Sequence, residues 1–287
     1  MTTDQKYWRR TGFVEIADDN GNMVRYGGSH DGLDFKFSGV INGEINPNFS
    51  VSILGLSKET MVNLTTWNPN DAYSKKRKIN VYAGYSNDDI ARPILSGIVL
   101  RAFPTQPPEA WLNLDCVLNP FSPLPIVEPE TNKLTLEEIL DKIAKMEGYN
   151  SRWDSKKLKG DNTVVYTFNR SPKELVRDFS DRFNVLLYVE DNVLIAKDFH
   201  GERGDPEDLE MVSIDTGMLG LNHITLIGAT IVKRLESRTK CFSWLNVRSK
   251  LVPKANGSFY VINKKYIGHF RGQEWYTELK CHRKVIV

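Results

Sequence analysis

Cysteine is scarce in this sequence. Three residues in 287, Cys116, Cys241 and Cys281, are too few, too far apart and odd in number for a disulfide framework or a zinc ribbon. That usage predicts a reducing compartment. Long apolar runs are missing too: none approaches the ~18–20 residues of a membrane span. The opening MTTDQKYWRR lacks the apolar segment of a secretory signal, so the sequons at Asn48 and Asn63 carry no expectation of glycosylation. An excess of one charge is also absent. Thirty-eight Lys+Arg against 36 Asp+Glu leave +2, which excludes a uniformly basic coat for nucleic acid. The 40 % hydrophobic content excludes a disordered chain, and the length suggests about two domains.

Patterns that carry chemistry are missing as well. Gly27-Gly28 and the Gly217/Gly220 pair lack the strand–loop–helix spacing of a phosphate-binding loop. His200-x-Glu202 resembles the start of a zinc deaminase motif, but no Pro-Cys-x-x-Cys follows. Cys281 and His282 are neighbours on a strand pattern and point to opposite faces, so a buried thiol and an exposed imidazole are expected rather than a metal pair. No Gly-x-Ser-x-Gly elbow occurs. Asp18-Asp19 and Asp88-Asp89 fall in turn-like segments, where Asp bonds its own backbone. The basic run Lys75 to Lys78 has no aromatics interleaved and reads as a charged strand edge rather than a phosphate contact. The expectation is a protein with no catalytic residue, no cofactor and no metal ligand: not an enzyme.

What is present is alternation. Leu33, Phe35 and Phe37 share one face of LDFKFSGV, and Phe49, Val51 and Ile53 alternate with Ser50 and Ser52. Ser57 can cap a short helix, with Leu56 stapled to Met61. Ile79, Val81 and Ala83 mark a third strand, Ile94 to Leu100 a fourth, and Trp111 to Leu118 a fifth beyond Pro104, Pro107 and Pro108. NPFSPLPIVEPETN, with four prolines, reads as a linker. Beyond it the period becomes helical. Capping boxes at Thr135–Glu138 and Ser171–Glu174 open two helices, and Gly148 stops the first. NVLLYVE and VLIAKD flank a hairpin turn at Asp191-Asn192. His200 to Glu210 reads as a second, acidic linker, after which β character returns. Asn256-Gly257 signals a hairpin, and Trp275, Thr277, Leu279 and Cys281 alternate with Tyr276, Glu278 and Lys280. The fold class is mainly β with an α+β insert: a barrel over 1–118, an α+β domain over 119–200 and a C-terminal β-barrel part over 201–287.

Taken in order, LDFKFSGV, NFSVSILGLSKET, KINVYAGY and ILSGIVLRAFPTQPPEAWLNLDC resemble the N-terminal barrel of tailed-phage baseplate hub proteins. NGSFYVINKKYIGHFRGQEWYTELKC resembles the closing hairpin of the second hub barrel, through Asn256, Gly257, Tyr260, Ile262, His269, Gly272, Trp275, Thr277, Leu279 and Cys281. One departure is Cys241-Phe-Ser-Trp244, where a glycine turn commonly precedes the strand bearing Val247 and Ser249. The resemblance covers both ends and leaves the insert unmatched. Such hubs are also similar to the hub part of type VI secretion spike proteins. The resemblance implies two tail-tube-like barrels per chain and a homotrimeric ring of six barrels. That ring would adapt a sixfold tail tube to a threefold spike in the virion baseplate, from protein made in the host bacterial cytoplasm. The implied partners are the tail tube protein, the central spike protein, other baseplate proteins and the tape-measure protein.

Two other functions fit the residues less well: a nucleic-acid-binding barrel, and a tail-associated cell-wall hydrolase using carboxylates of the insert. The first draws on a charge split hidden in the +2. Residues 231–287 carry 13 basic and 3 acidic residues, while 178–215 carry 11 acidic and 3 basic. Trp244, Tyr260, Phe270 and Trp275 could stack bases, although at strand spacing they read as core. The same split suggests contacts between copies around a ring, with Asp205, Glu207 and Asp208 of one facing Lys264, Lys265 and Arg271 of the next.

Overall fold

The computed structural model describes residues 9–43, 46–66, 77–86, 90, 92–106, 108–126, 130–155, 163–190, 192–198 and 209–283. They divide into two compact units, one drawn from 1–42, 48–118 and 203–287, the other from 43–47 and 119–202. Lys75, Lys76, Asp88, Asp89, Pro107, Asp191, His200, Glu202, Asp205, Glu207 and Asp208 lie outside the described residues.

The first unit opens with β1 (Arg10–Ala17), β2 (Met23–Tyr26), α1 (Gly28–Asp31), β3 (Asp34–Ile41), β4 (Asn48–Leu54), α2 (Lys58–Leu64), β5 (Lys78–Tyr85), β6 (Leu95–Pro104) and β7 (Trp111–Leu118). Period-2 alternation turns Phe35, Phe37, Phe49, Val51, Ile53, Val81, Leu112, Leu114 and Cys116 into one core. Pro104, with no N–H to give, ends β6. Ser57 caps α2 by accepting the Thr60 N–H at 3.1 Å, and Leu56 and Met61 join the same core as the staple requires. Five strands were expected here, and β1 and β2 are additional. The Gly27-Gly28 pair has φ of 82° and 59°. A Cβ on Gly28 would sit 2.0 Å from the Gly12 carbonyl oxygen, so these glycines serve the close approach of α1 to β1.

The second unit holds β8 (Glu130–Thr135), α3 (Leu136–Met146), β9 (Asn150–Trp153), β10 (Thr163–Phe168), α4 (Pro172–Phe183), β11 (Val185–Glu190) and β12 (Val193–Asp198). β8 pairs with β10, while β11, β12 and β9 form a three-stranded sheet in which β9 runs parallel to β12. Ile139, Leu140 and Ile143 of α3 and Leu175, Val176 and Phe179 of α4 share one core. Glu190 lies opposite Val193, and Asn192 has φ 64°, as a tight hairpin demands. The proline-rich stretch is more than a linker. Phe121 is 2 % exposed within this core, its N–H donates to Asn46 Oδ1 at 2.7 Å, and β8 begins at Glu130.

Both capping boxes form. Glu138 accepts the Thr135 N–H at 2.7 Å and its hydroxyl at 2.9 Å; Glu174 accepts the Ser171 hydroxyl at 2.8 Å and its N–H at 3.1 Å. These bonds hold both carboxyls below the usual glutamate range, through the Thr135 N–H first at Glu138 and the Ser171 hydroxyl first at Glu174. A depressed carboxyl contributes stability above its unfolded pKa of ~4.3 and loses it as pH falls through the lower folded value. Helical circular dichroism should therefore decline on acidification below about pH 4. The Glu138→Gln/Glu174→Gln variant should lose less of it than the wild type, and equal loss in both would remove the capping boxes as the cause.

The chain then returns to the first unit with β13 (Glu210–Ser213), β14 (Met218–Asn222), β15 (Gly228–Arg234), β16 (Trp244–Arg248), β17 (Gly257–His269) and β18 (Trp275–Arg283). β17, 13 residues long, is the junction. β18 lines one of its edges. Along the other, Gly257–Tyr260 pair with β16 and Lys264–His269 pair with β3. The two outer β segments, expected as separate domains, are thereby one sheet of order β14-β15-β18-β17-β3-β4-β7-β6-β5-β1-β2, with β13 and β16 branching from it. Trp275 reinforces the join: it is 3 % exposed, and its indole N–H donates to the Gly84 carbonyl at 3.0 Å.

Asn256-Gly257 does not make a two-residue turn. β16 and β17 are joined by residues 249–256, including a 3-10 turn at Pro253–Ala255. Asn256 has φ −66°, outside the left-handed region such a turn needs, and instead accepts the Ser249 N–H at 2.6 Å. In the departure at Cys241–Trp244, Phe242 is buried with φ 61° and donates its N–H to the Val261 carbonyl at 2.8 Å. All three cysteines are buried free thiols, and burial pushes those of Cys116 and Cys281 up.

Candidate functional site

The basic C-terminal segment is not one exposed basic face. Lys233 is 1 % exposed, and its ammonium is shared by the carboxylates of Glu210 and Glu236 and by the Thr239 hydroxyl, the last at 2.8 Å. Thr239 Oγ1 in turn donates to Glu210 Oε1 at 3.0 Å. Lys264 is 3 % exposed, and its ammonium donates to the carbonyls of Ser237 and Thr239. Of the three cations expected to face another copy, Lys264 therefore points into its own subunit. Lys265 is half-buried opposite Glu278, and Arg271 is exposed. The Arg271 backbone N–H donates to Asp34 Oδ1 at 3.0 Å, and its guanidinium donates to the Gly32 carbonyl.

The β17–β18 hairpin tip is held by residues that sequence reasoning passed over. The Arg10 guanidinium donates to the carbonyls of His269 at 2.9 Å, Phe270 at 3.3 Å and Gln273 at 3.0 Å, and also to that of Gly272. It lies 5.6 Å from the Trp275 ring centroid. Asp34 Oδ2 is 2.8 Å from His269 Nε2. These contacts fasten the tip to β1 and β3. Trp275 and Phe270 pack with Phe35 in the core, and Trp244 packs on Tyr260 with centroids 5.2 Å apart. Stacking of these four aromatics is thus directed within the chain.

Two features face outward. Arg283 donates its N–H to the Ile227 carbonyl at 2.8 Å, and its guanidinium donates to the carbonyls of Asn256 at 3.2 Å and Lys254 at 3.4 Å. The loops tied in this way carry Leu226, Ile227 and Leu251, which are 90 %, 68 % and 85 % exposed. The second feature is the pair of terminal strands, β14 and β2, each hydrogen-bonded along one edge only among the described residues.

No group of three or more His, Cys, Asp or Glu among the described residues could hold a metal, and no described helix is long and apolar enough to cross a membrane. Asp18 accepts the N–H groups of Asn22 at 2.8 Å and Asn20 at 2.9 Å, and the Asn22 bond foremost holds its carboxyl below the usual range. That is turn chemistry, as its sequence context indicated. His282 is exposed beside buried Cys281.

No curated protein matches the chain significantly. Solved structures do. A tail protein from Neisseria meningitidis aligns over 96 % of this chain and 97 % of its own, at 9 % identity and a TM-score of 0.60. The 43 kDa tail protein of prophage MuSo2 from Shewanella oneidensis aligns over 96 % and 98 %, at 8 % identity and 0.59. The E. coli c3393 protein is described as a type VI secretion component with structural similarity to the phage tail proteins gp27 and gp5. It aligns over 90 % of this chain and 76 % of its own, at 11 % identity and 0.55. At such identities the likeness is one of fold. The family model described as baseplate hub gp41 matches residues 32–281, and the chain belongs to that family of phage tail proteins.

Proposed function

We propose that this chain is a structural, non-catalytic hub. Three copies close into a ring that joins a sixfold tail tube to a threefold spike, as part of the virion baseplate. The observation that carries this reading is the fusion of two β segments into one unit through β17, so that three chains present six such segments. Exposed Leu226, Ile227 and Leu251 supply contacts for a tube, spike, tape-measure or other baseplate protein. Between copies, Asp205, Glu207 and Asp208 face Lys265 and Arg271, and Lys264 takes no part because its ammonium is used internally.

Native mass spectrometry of the full chain, alone and with tube and spike proteins, should give three hub copies. A strictly monomeric hub in every mixture would overturn the ring. High salt, and charge reversal at Asp205, Glu207 and Asp208, should each lower the trimer fraction, because exposed ion pairs are screened and inverted by these changes. Assembly indifferent to both would remove the charge contact and leave the ring standing.

A further inference from the structure

The loop between β14 and β15 ends in a fixed turn. The Thr225 N–H and hydroxyl both donate to the Gly228 carbonyl, at 2.8 and 3.1 Å, and the Gly228 N–H donates back to Thr225 Oγ1 at 3.1 Å. The Arg283 N–H holds the Ile227 carbonyl at 2.8 Å. Two consecutive aliphatic side chains stand at this tip, Leu226 at 90 % and Ile227 at 68 % exposure. Residues 217–232 contain no Asp, Glu, Lys or Arg in a chain that is 26 % charged. The tip is thus an uncharged aliphatic knob, and because its backbone is already ordered it gives up little entropy on docking. Exposed Leu251 differs, since it follows Lys250, whose ammonium lies 3.7 Å from Asp215.

The first β segment carries a depression of about 370 Å³. Val40 lines it, as does Leu100, the unpaired residue of the β6 bulge, and the small side chains of Ser38 and Ser50 leave it open. The charge of Asp115 at its border is met by Arg101 at 3.4 Å. Another depression, beside α4, is lined by arginine and carboxylate side chains alone and offers an aliphatic knob nothing. We propose that the Leu226-Ile227 tip of one copy seats in the Val40–Leu100 depression of the next; this rests on the ring reading above. On the sheet path β18, β17 and β3 lie between β15 and β4, so knob and depression belong to different β segments of the chain. A contact between unlike surfaces runs head-to-tail and closes into a ring. Where first and second segments alternate around that ring, the second of each copy adjoins the first of the next, which brings the two features together. Leu226 and Ile227 are then taken by the neighbouring copy, and Leu251 is left for other baseplate proteins.

The full-length chain tests this from both sides. Leu226→Asp/Ile227→Asp alters the knob, Ser50→Trp fills the depression, and each changes only exposed side chains. Both variants should keep the circular dichroism of the wild type. The dissociation constant between copies should rise about a hundredfold, the effect of leaving two aliphatic side chains in water. Leu226→Cys combined with Ser50→Cys should give covalent dimers and trimers on oxidation, with neither change sufficient alone and no background from the three buried native thiols. A trimer unchanged by either the knob or the filling variant overturns this contact and leaves the ring standing. So does cross-linking through Leu226→Cys alone, which would set tip against tip, or an intact trimer of the knob variant that has lost only its hold on tube or spike protein. A wild-type chain that is monomeric in every mixture overturns the ring reading, and this contact with it.

Discussion

Replacing Lys233 by methionine is expected to destabilise the β-rich unit by about 3–5 kcal/mol. The change removes the one cation that Glu210 and Glu236 share at a position 1 % exposed, leaving Glu210 against a hydrocarbon and Glu236 with Arg234 alone, at 3.6 Å. The cost comes from the uncompensated charge rather than from lost packing, since methionine fills much of the same space. Adding Glu210→Gln and Glu236→Gln should therefore recover most of the loss, because amides can bond to Thr239 and to each other without net charge. A urea titration followed by tryptophan fluorescence reads both effects. If the single variant unfolds within about 1 kcal/mol of the wild type, the cluster is solvated enough to behave as a surface pair.

Arg10→Met should cost about 2–3 kcal/mol, since hydrogen bonds from a charged donor are each worth more than neutral ones and here several are lost together. Four carbonyls, those of His269, Phe270, Gly272 and Gln273, would lose a charged donor at once, and that of His269 would keep only the Gly272 N–H at 3.1 Å. Amide exchange should quicken across residues 269–274 well before it does in the strands. Arg10→Lys should restore only part of the stability, because an ammonium is a compact point charge that cannot span four carbonyls as a planar guanidinium does. Full recovery with lysine would mean that charge alone, rather than the forked geometry, secures the tip.

Local chemistry was legible in the sequence wherever a motif is complete within a few residues. Both capping boxes and the alternation of β3, β4, β7 and β18 stand in the structure as read. β1 escaped because its inward face begins with Gly12, where an apolar residue would have announced a strand. A Cβ there would lie 2.4 Å from the Tyr82 carbonyl oxygen and 3.3 Å from the Phe35 ring, so the position is reserved for glycine. Lys233 was legible in principle, since it continues the inward series Ala229 and Ile231. Lys264 was not. The bulge between Val261 and Asn263 shifts the phase of β17, so that Phe259 and Val261 are followed inward by Lys264 and Tyr266 rather than by residues 263 and 265. The candidate surfaces were the least legible part. The Arg10 clamp, the Arg283 contacts and the β3–β17 pairing all join residues distant in sequence, and no local pattern encodes them.

The sharing of β17 also sets the order in which the molecule can be made. The second edge of β3 is filled by Lys264–His269, more than two hundred residues downstream of it. Throughout translation of that interval the early strands carry an unfinished border, the kind of surface on which nascent chains stick to one another. The helical insert, a compact unit of residues 43–47 and 119–202 with its own core, is fully translated and can mature while the ribosome is still at work. The β-rich unit can close only after β17 has emerged. A prematurely terminated product thus lacks a complete early sheet as well as its tail.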